Sequence, residues 1–134
     1  MLSGCAFFPF PHTEQVVPSV TGIVLRDGKP VSGTHVFVLP HLTRNGCEVS
    51  TYSAITDENG HFAIRGDRDL ALFVVMGDRI NSWGICIGEP GQLVEAWRAR
   101  GFGFPPSSTK VECELTHQPI ERTNEPAVCR PNGA

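Results

Sequence analysis

Lysine is almost missing from this chain: Lys29 and Lys110 are the only two. No basic stripe runs along it, the net charge is −3, and acidic and basic residues are interspersed. That distribution argues against nucleic acid as a partner. Long hydrophobic runs are lacking too. The longest covers 70–76, far short of the roughly 20 apolar residues that a bilayer-spanning helix needs. No cysteines stand in C-x-x-C spacing, and His12, His35, His41, His61 and His117 are scattered singly, with no pair two or four apart. Metal sites announce themselves by such pairs, so these histidines read as solvent-facing or hydrogen-bonded. The segment Asp57-Glu58-Asn59 lacks the D-x-D-x-D-G pattern and distant Glu of a calcium loop. Neither Ser50-Thr51 nor Ser107-Ser108-Thr109 has the glycine context of a nucleophile elbow, and no phosphate-cradling loop is present. These absences predict a protein that is not an enzyme and holds no metal and no cofactor.

What remains is the material of one small domain. The chain has 134 residues, of which 40% are apolar, enough for a single core and too many for a disordered chain. Five cysteines are many for a reducing compartment. Setting Cys5 aside leaves Cys47, Cys86, Cys113 and Cys129, an even number that predicts two disulfides. Four cysteines allow three connectivities. Cys113 with Cys129 is favoured because it would pin down a Pro-rich tail, and Cys47 would then pair with Cys86.

The N-terminal residues Leu2-Ser3-Gly4-Cys5 resemble the lipobox of bacterial lipoproteins. In that family the chain is cleaved just before the cysteine, which carries acyl chains. The resemblance implies lipidation at Cys5, a signal peptide that begins upstream of Met1, and an anchor in the cell envelope facing the periplasm. Ala6 after the cysteine favours the outer membrane. The following stretch, 6–19, is predicted to be a linker, with Pro9, Pro11 and Pro18 favouring extended backbone. Phe7, Phe8 and Phe10 are unusual there: they either sit at the membrane interface or pack on the domain.

From residue 20 onward, short alternating apolar runs are separated by Gly, Pro, Asp and Asn. This spacing predicts strands over 20–26, 34–39, 47–56, 61–65, 70–76, 82–88, 92–99 and 109–115. Val20, Gly22 and Val24 alternate against Ile23 and Leu25; Val36 and Val38 share one face, Phe37 and Leu39 the other. Phe62 and Ile64 face inward, as do Val111, Cys113 and Leu115 on one face of theirs. The 70–76 strand, apolar on both faces, is expected at the centre of a sheet. The stretch 92–100 has helical spacing as well, with strand preferred. Residues 117–134 are predicted to form a tail, ordered only if Cys129 is tied down.

The pattern Gly22-x-Val24, Asp27-Gly28-x-Pro30-Val31-x-Gly33, Val36-x-Val38 and Thr56-Asp57-x-x-Gly60-x-Phe62-x-Ile64 resembles the carboxypeptidase regulatory-like domain, a transthyretin-like sandwich. The resemblance covers about a third of the chain, residues 20–66, and departs mildly at Thr34, where the family often has Ala. It implies an all-β, antiparallel sandwich of seven to eight strands over 20–116, preceded by the 1–19 segment and followed by the 117–134 tail. Val24, Val31, Val36, Val38, Phe62 and Ile64 would fill the space between its sheets. Gly28, Gly33 and Gly60 would serve turns, and Asp57 would accept backbone N–H bonds in the turn it opens. Two enzyme families with similar sandwiches do not fit. Intradiol dioxygenases hold iron with two Tyr and two His, and Tyr52 is the only tyrosine here. Hydroxyisourate hydrolases end in Tyr-Arg-Gly-Ser, unlike Arg130-Pro131-Asn132-Gly133-Ala134.

The second half has one distinctive stretch, in which Trp97, Arg98, Arg100, Phe102 and Phe104 alternate with small residues. Aromatics with Arg are typical interface anchors, so these five are the candidate partner-binding residues. An exposed Phe102 or Phe104 beside Arg98 or Arg100 is the expectation; the competing reading places Trp97 and the phenylalanines in the core. The sequence thus predicts an accessory or binding module held to the membrane by a lipid anchor, engaging an envelope protein or a glycan. The alternative is an inhibitor or immunity-type lipoprotein that blocks an envelope-directed toxin or hydrolase with its 101–106 loop.

Overall fold

The computed structural model describes residues 7–40, 46–75, 80–102, 106–116 and 128–131. Among them the protein is all-β, with strands β1 (Phe7–Val17), β2 (Ser19–Arg26), β3 (Lys29–Pro30), β4 (His35–Leu39), β5 (Ser53–Ile55), β6 (His61–Ile64), β7 (Asp67–Val75), β8 (Ile80–Ile87), β9 (Val94–Phe102), β10 (Ser108–Glu114) and β11 (Cys129–Pro131). They form three sheets. One runs β11-β10-β2-β3, with β6 also paired to β2; a second runs β5-β4-β8-β9; the third is a two-stranded ribbon of β1 and β7.

Turn chemistry and alternation account for most of this. Asp27 and Gly28 take φ of 52° and 78°, the two left-handed positions of a type I′ turn. The turn folds β3 onto β2 with Arg26 opposite Lys29. In the turn that carries the chain from β5 in one sheet to β6 in the other, the Asp57 carboxylate accepts the backbone N–H groups of Asn59 at 2.8 Å and His61 at 2.9 Å. Val20 and Val24 of β2, Phe62 and Ile64 of β6, and Val111 and Cys113 of β10 meet Val36 and Val38 of β4, Trp83, Ile85 and Ile87 of β8, and Ala96 of β9 in one core. Two sheets packed on a shared core make a β-sandwich. Each fully buried Val or Ile contributes about 1.5–3 kcal/mol.

β4 is buried on both faces. Val36 and Val38 point into the main core, while Phe37 and Leu39 form a second cluster with Cys86, against which Cys47 and Leu93 pack. The Cys47–Cys86 disulfide holds the 46–52 segment over this outer face. Of the expected 47–56 strand, 53–55 forms the ladder with β4, and the Val38 N–H also donates to the Tyr52 carbonyl at 2.8 Å. The second disulfide, Cys113–Cys129, joins residues directly opposite each other in β10 and β11. Both pairings are those the sequence favoured.

Four expectations need correction. Among the described residues the strands number eleven rather than seven or eight, because β1 and β11 form where a linker and a tail were expected and β3 adds a short strand after the Asp27-Gly28 turn. The architecture is not wholly antiparallel: β10 runs parallel to β2, from Ser108 opposite Ser19 to Glu114 opposite Leu25. Both strands start from the same end, where the Ser19 N–H donates to the Ser107 carbonyl at 3.0 Å. The linker stretch is instead strand β1, paired from Phe7 opposite Val75 to Val17 opposite Asp67. Among the described residues β7 is therefore not a central strand, and β1 is its one sheet neighbour.

Candidate functional site

Of the candidate binding residues, Trp97, Arg98, Arg100 and Phe102 lie on β9, the edge strand beside β8. Between Ile85 opposite Trp97 and Cys86 opposite Glu95 the register shifts, leaving Ala96 as the extra residue of a bulge. The bulge has a chemical consequence. In a regular strand, residues three apart point to opposite faces. Here the additional residue brings Glu95 and Arg98 together. Arg98 Nε donates to Glu95 Oε1 at 2.7 Å and Nη2 to Oε2 at 3.2 Å. This two-pronged bond raises the guanidinium pKa above its ordinary value, partly opposed by desolvation. Both side chains remain largely exposed, at 50% and 36%, so the pair contributes at most about 1 kcal/mol.

Trp97 turns the other way. It packs against the main core and tilts against Trp83 with ring centroids 6.1 Å apart. Its indole Nε1 is buried and has no acceptor among the described residues. Adjacent in sequence, Trp97 and Arg98 are divided between core and solvent. Arg100 and Phe102 are placed by backbone register alone, opposite Ser82 and Ile80, and Phe104 lies outside the described residues. The expected exposed phenylalanine beside an arginine falls on those positions.

The histidines take separate places. The His35 ring stacks on Phe37 with centroids 5.9 Å apart, and its Nδ1 lies 3.4 Å from Glu89 Oε1. His61 is exposed beside Asp57, while His41 and His117 lie outside the described residues. Among the described residues no group of three His, Cys, Asp or Glu side chains could hold a metal ion. The hydroxyls are engaged in architecture. Ser50 Oγ donates to the Val38 carbonyl at 2.7 Å and accepts the Tyr52 N–H. Buried Thr56 accepts the Thr34 N–H at 3.0 Å.

Sequence reasoning passed over Glu114. At the end of β10, its carboxylate accepts the backbone N–H groups of Asp27 at 2.8 Å and Gly28 at 3.1 Å, and the Thr116 hydroxyl at 2.8 Å. The Thr116 bond, followed by the two turn amides, holds its pKa below the ordinary carboxylate value. The partners lie 87 and 86 residues away, so no local motif could have marked it. A polar lattice at the base of the β1–β7 ribbon was equally invisible. Tyr52 Oη donates to Asp67 Oδ2 at 2.9 Å, and Arg68 reaches across to Thr13 Oγ1 at 3.1 Å and the Thr13 carbonyl at 3.3 Å.

These groups stabilise turns and strand ends, and no described pair has the geometry of a nucleophile with its base. Set against family models, curated proteins and solved structures, the chain matches none of them.

Proposed function

We propose that this chain is a lipid-anchored, non-enzymatic binding module of a bacterial cell envelope. Cys5 carries the acyl chains, and the sandwich presents its surface to an envelope protein or a glycan. The carboxypeptidase regulatory-like resemblance of residues 20–66 supports an accessory role of this kind.

The observation that carries the reading is the disposition of the cysteines. Two bridges, Cys47–Cys86 and Cys113–Cys129, take up four of the five, and the fifth is Cys5 of Leu2-Ser3-Gly4-Cys5. Paired cysteines of this kind persist in oxidising compartments, which is where a lipobox would send the chain. Several acyl chains at one residue exceed the marginal hold of a single one and make a lasting anchor.

Intact-mass analysis of the mature protein, expressed from its native upstream region, tests this directly. The expected product begins at acylated Cys5 and is four hydrogens lighter than its reduced form. An unmodified chain starting at Met1 with five free thiols would overturn it.

A further inference from the structure

The register of the strands gathers a set of apolar residues at one end of the molecule. In the ribbon, Phe7 stands opposite Val75 and Phe8 opposite Val74. At the start of the β8–β9 hairpin, Ile80 stands opposite Phe102. Val75 and Ile80 are five residues apart, so these two strand ends lie within about 18 Å of each other. Within 70–75 there is no charged residue, and none within 7–11. The outer half of the ribbon is therefore uncharged along both strands, and among the described residues each of these strands has one sheet neighbour. The inner half is different: Glu14 stands opposite Asp69 and Gln15 opposite Arg68.

The opposite end of the sandwich is charged, with five acidic residues and, flanking the Asp27-Gly28 turn, Arg26 and Lys29. Hydrogen bonds link its turns into one region: Val24 N–H to the Gly60 carbonyl, Asp57 N–H to the His61 carbonyl, Gly88 N–H to the His35 carbonyl. Asp27, Asp57, Glu58, Glu89 and Glu114 belong to these turns or to the strand ends beside them, and four of the five are exposed. The molecule is therefore polarised along the strand direction, and Arg100 stands two residues inside Phe102, opposite Ser82.

We propose that the apolar end, formed by the outer halves of β1 and β7 and the Ile80–Phe102 end of β8 and β9, seats in the interface of the lipid bilayer. This deepens the reading above and rests on it for the identity of the occupant: Cys5 precedes Phe7 by two residues, so its acyl chains enter the membrane within about 7 Å of the ribbon end. β1 begins too soon after Cys5 for a spacer to lift the domain away. Uncharged, phenylalanine-rich segments lie at the headgroup–acyl boundary, and basic residues beside them meet anionic headgroups. The acidic turns then point away from the membrane, toward a partner.

The test uses the full chain with Cys5→Ser, which removes acylation, and vesicles of phosphatidylethanolamine and phosphatidylglycerol. Deuterium uptake over 7–11 and 70–75 is expected to fall when vesicles are added, while uptake over 35–39 is unchanged. Phe7→Asp with Phe8→Asp should lower the partition coefficient at least about tenfold. Uptake over 7–11 and 70–75 that is already slow without lipid, or that vesicles leave unchanged, overturns the proposal and assigns this end to the core or to a protein partner. The uptake measurement needs no substitution in the ribbon, so a misfolded double variant leaves the result intact. An unmodified Cys5 in the wild-type mass with vesicle-protected ribbon segments would sink the acylation reading alone; acylated Cys5 with unprotected segments would sink this one alone.

Discussion

Gly22 shows how closely the central strands approach. It lies on β2 between Val111 on one side and Phe62 on the other. A Cβ there would sit 2.4 Å from the Val111 carbonyl oxygen and 3.0 Å from the Phe62 ring. Backbone cannot yield as a flexible side chain can, so Gly22→Ala should destabilise the fold by about 1–3 kcal/mol. The midpoint of urea unfolding measures it, with exposed Thr21→Ala, expected within about 0.5 kcal/mol of wild type, as the control. Two carboxylates carry a pH dependence. Asp57 is held below its ordinary value of 3.8 chiefly by the His61 and then the Asn59 amide, and Glu114 below 4.5 by the Thr116 hydroxyl and the turn amides. A depressed folded pKa stabilises the native state above the unfolded value and loses that contribution as pH falls through the folded one. Asp57→Asn with Glu114→Gln should therefore lower Tm most above the ordinary carboxylate range, with the gap to wild type closing as pH falls below that range. A gap independent of pH would show that shape, not charge, matters at both positions.

Among the elements, those whose information is local were legible in the sequence. The Asp27-Gly28 turn, the Asp57 turn and the alternation of Val36, Phe37, Val38 and Leu39 all appear as read, because two or three adjacent residues determine each of them. The bulge at Ala96 was not legible: its cause is the register against β8, which no residue of β9 announces. β1 was missed because its prolines suggest a solvated linker, yet a strand with one neighbour tolerates proline on its open side. β11 is the element that depends most on a single bond. It is three residues long and, among the described residues, pairs only with β10, too little to persist unaided. Cys113 and Cys129 close a 16-residue separation, for which loop entropy gives about 3 kcal/mol. The Cys47–Cys86 bridge, spanning 39 residues, gives about 4 kcal/mol by the same reasoning. Cys113→Ala with Cys129→Ala should release the Arg130 amide to fast exchange while β4 stays protected. Continued protection of Arg130 would mean that backbone pairing alone holds β11.

The molecule as a whole joins two kinds of structure that differ in how many neighbours support each strand. In the sandwich, β2 is flanked by β10 and β6, β4 by β5 and β8, and their inward residues are fully buried. In the ribbon, β1 and β7 pair with only each other among the described residues, tied at the base by Arg68 with Thr13 and by Tyr52 with Asp67. This division escaped the sequence because the apolar run of 70–76 has the composition of a buried central strand, and composition does not say how many strands lie beside it. The free energy of a local opening is set by the backbone pairing and apolar burial that the separating segment gives up. Separating β1 from β7 breaks one ladder, whereas separating β2 breaks those to β10, β6 and β3 and opens the core. Native-state hydrogen exchange of the Cys5→Ser chain without lipid should consequently give two tiers. Amides of Val20, Val24, Val36 and Ile85 should exchange only through global unfolding. Amides of 8–10 and 71–74 should exchange through openings at least about 2 kcal/mol smaller, since global stabilities run near 5–15 kcal/mol and a lone two-stranded ribbon is marginal in water. Exchange of both groups at the global free energy would mean that the ribbon is a third layer of one cooperative core, and the apolar end would then have no surface to offer a membrane.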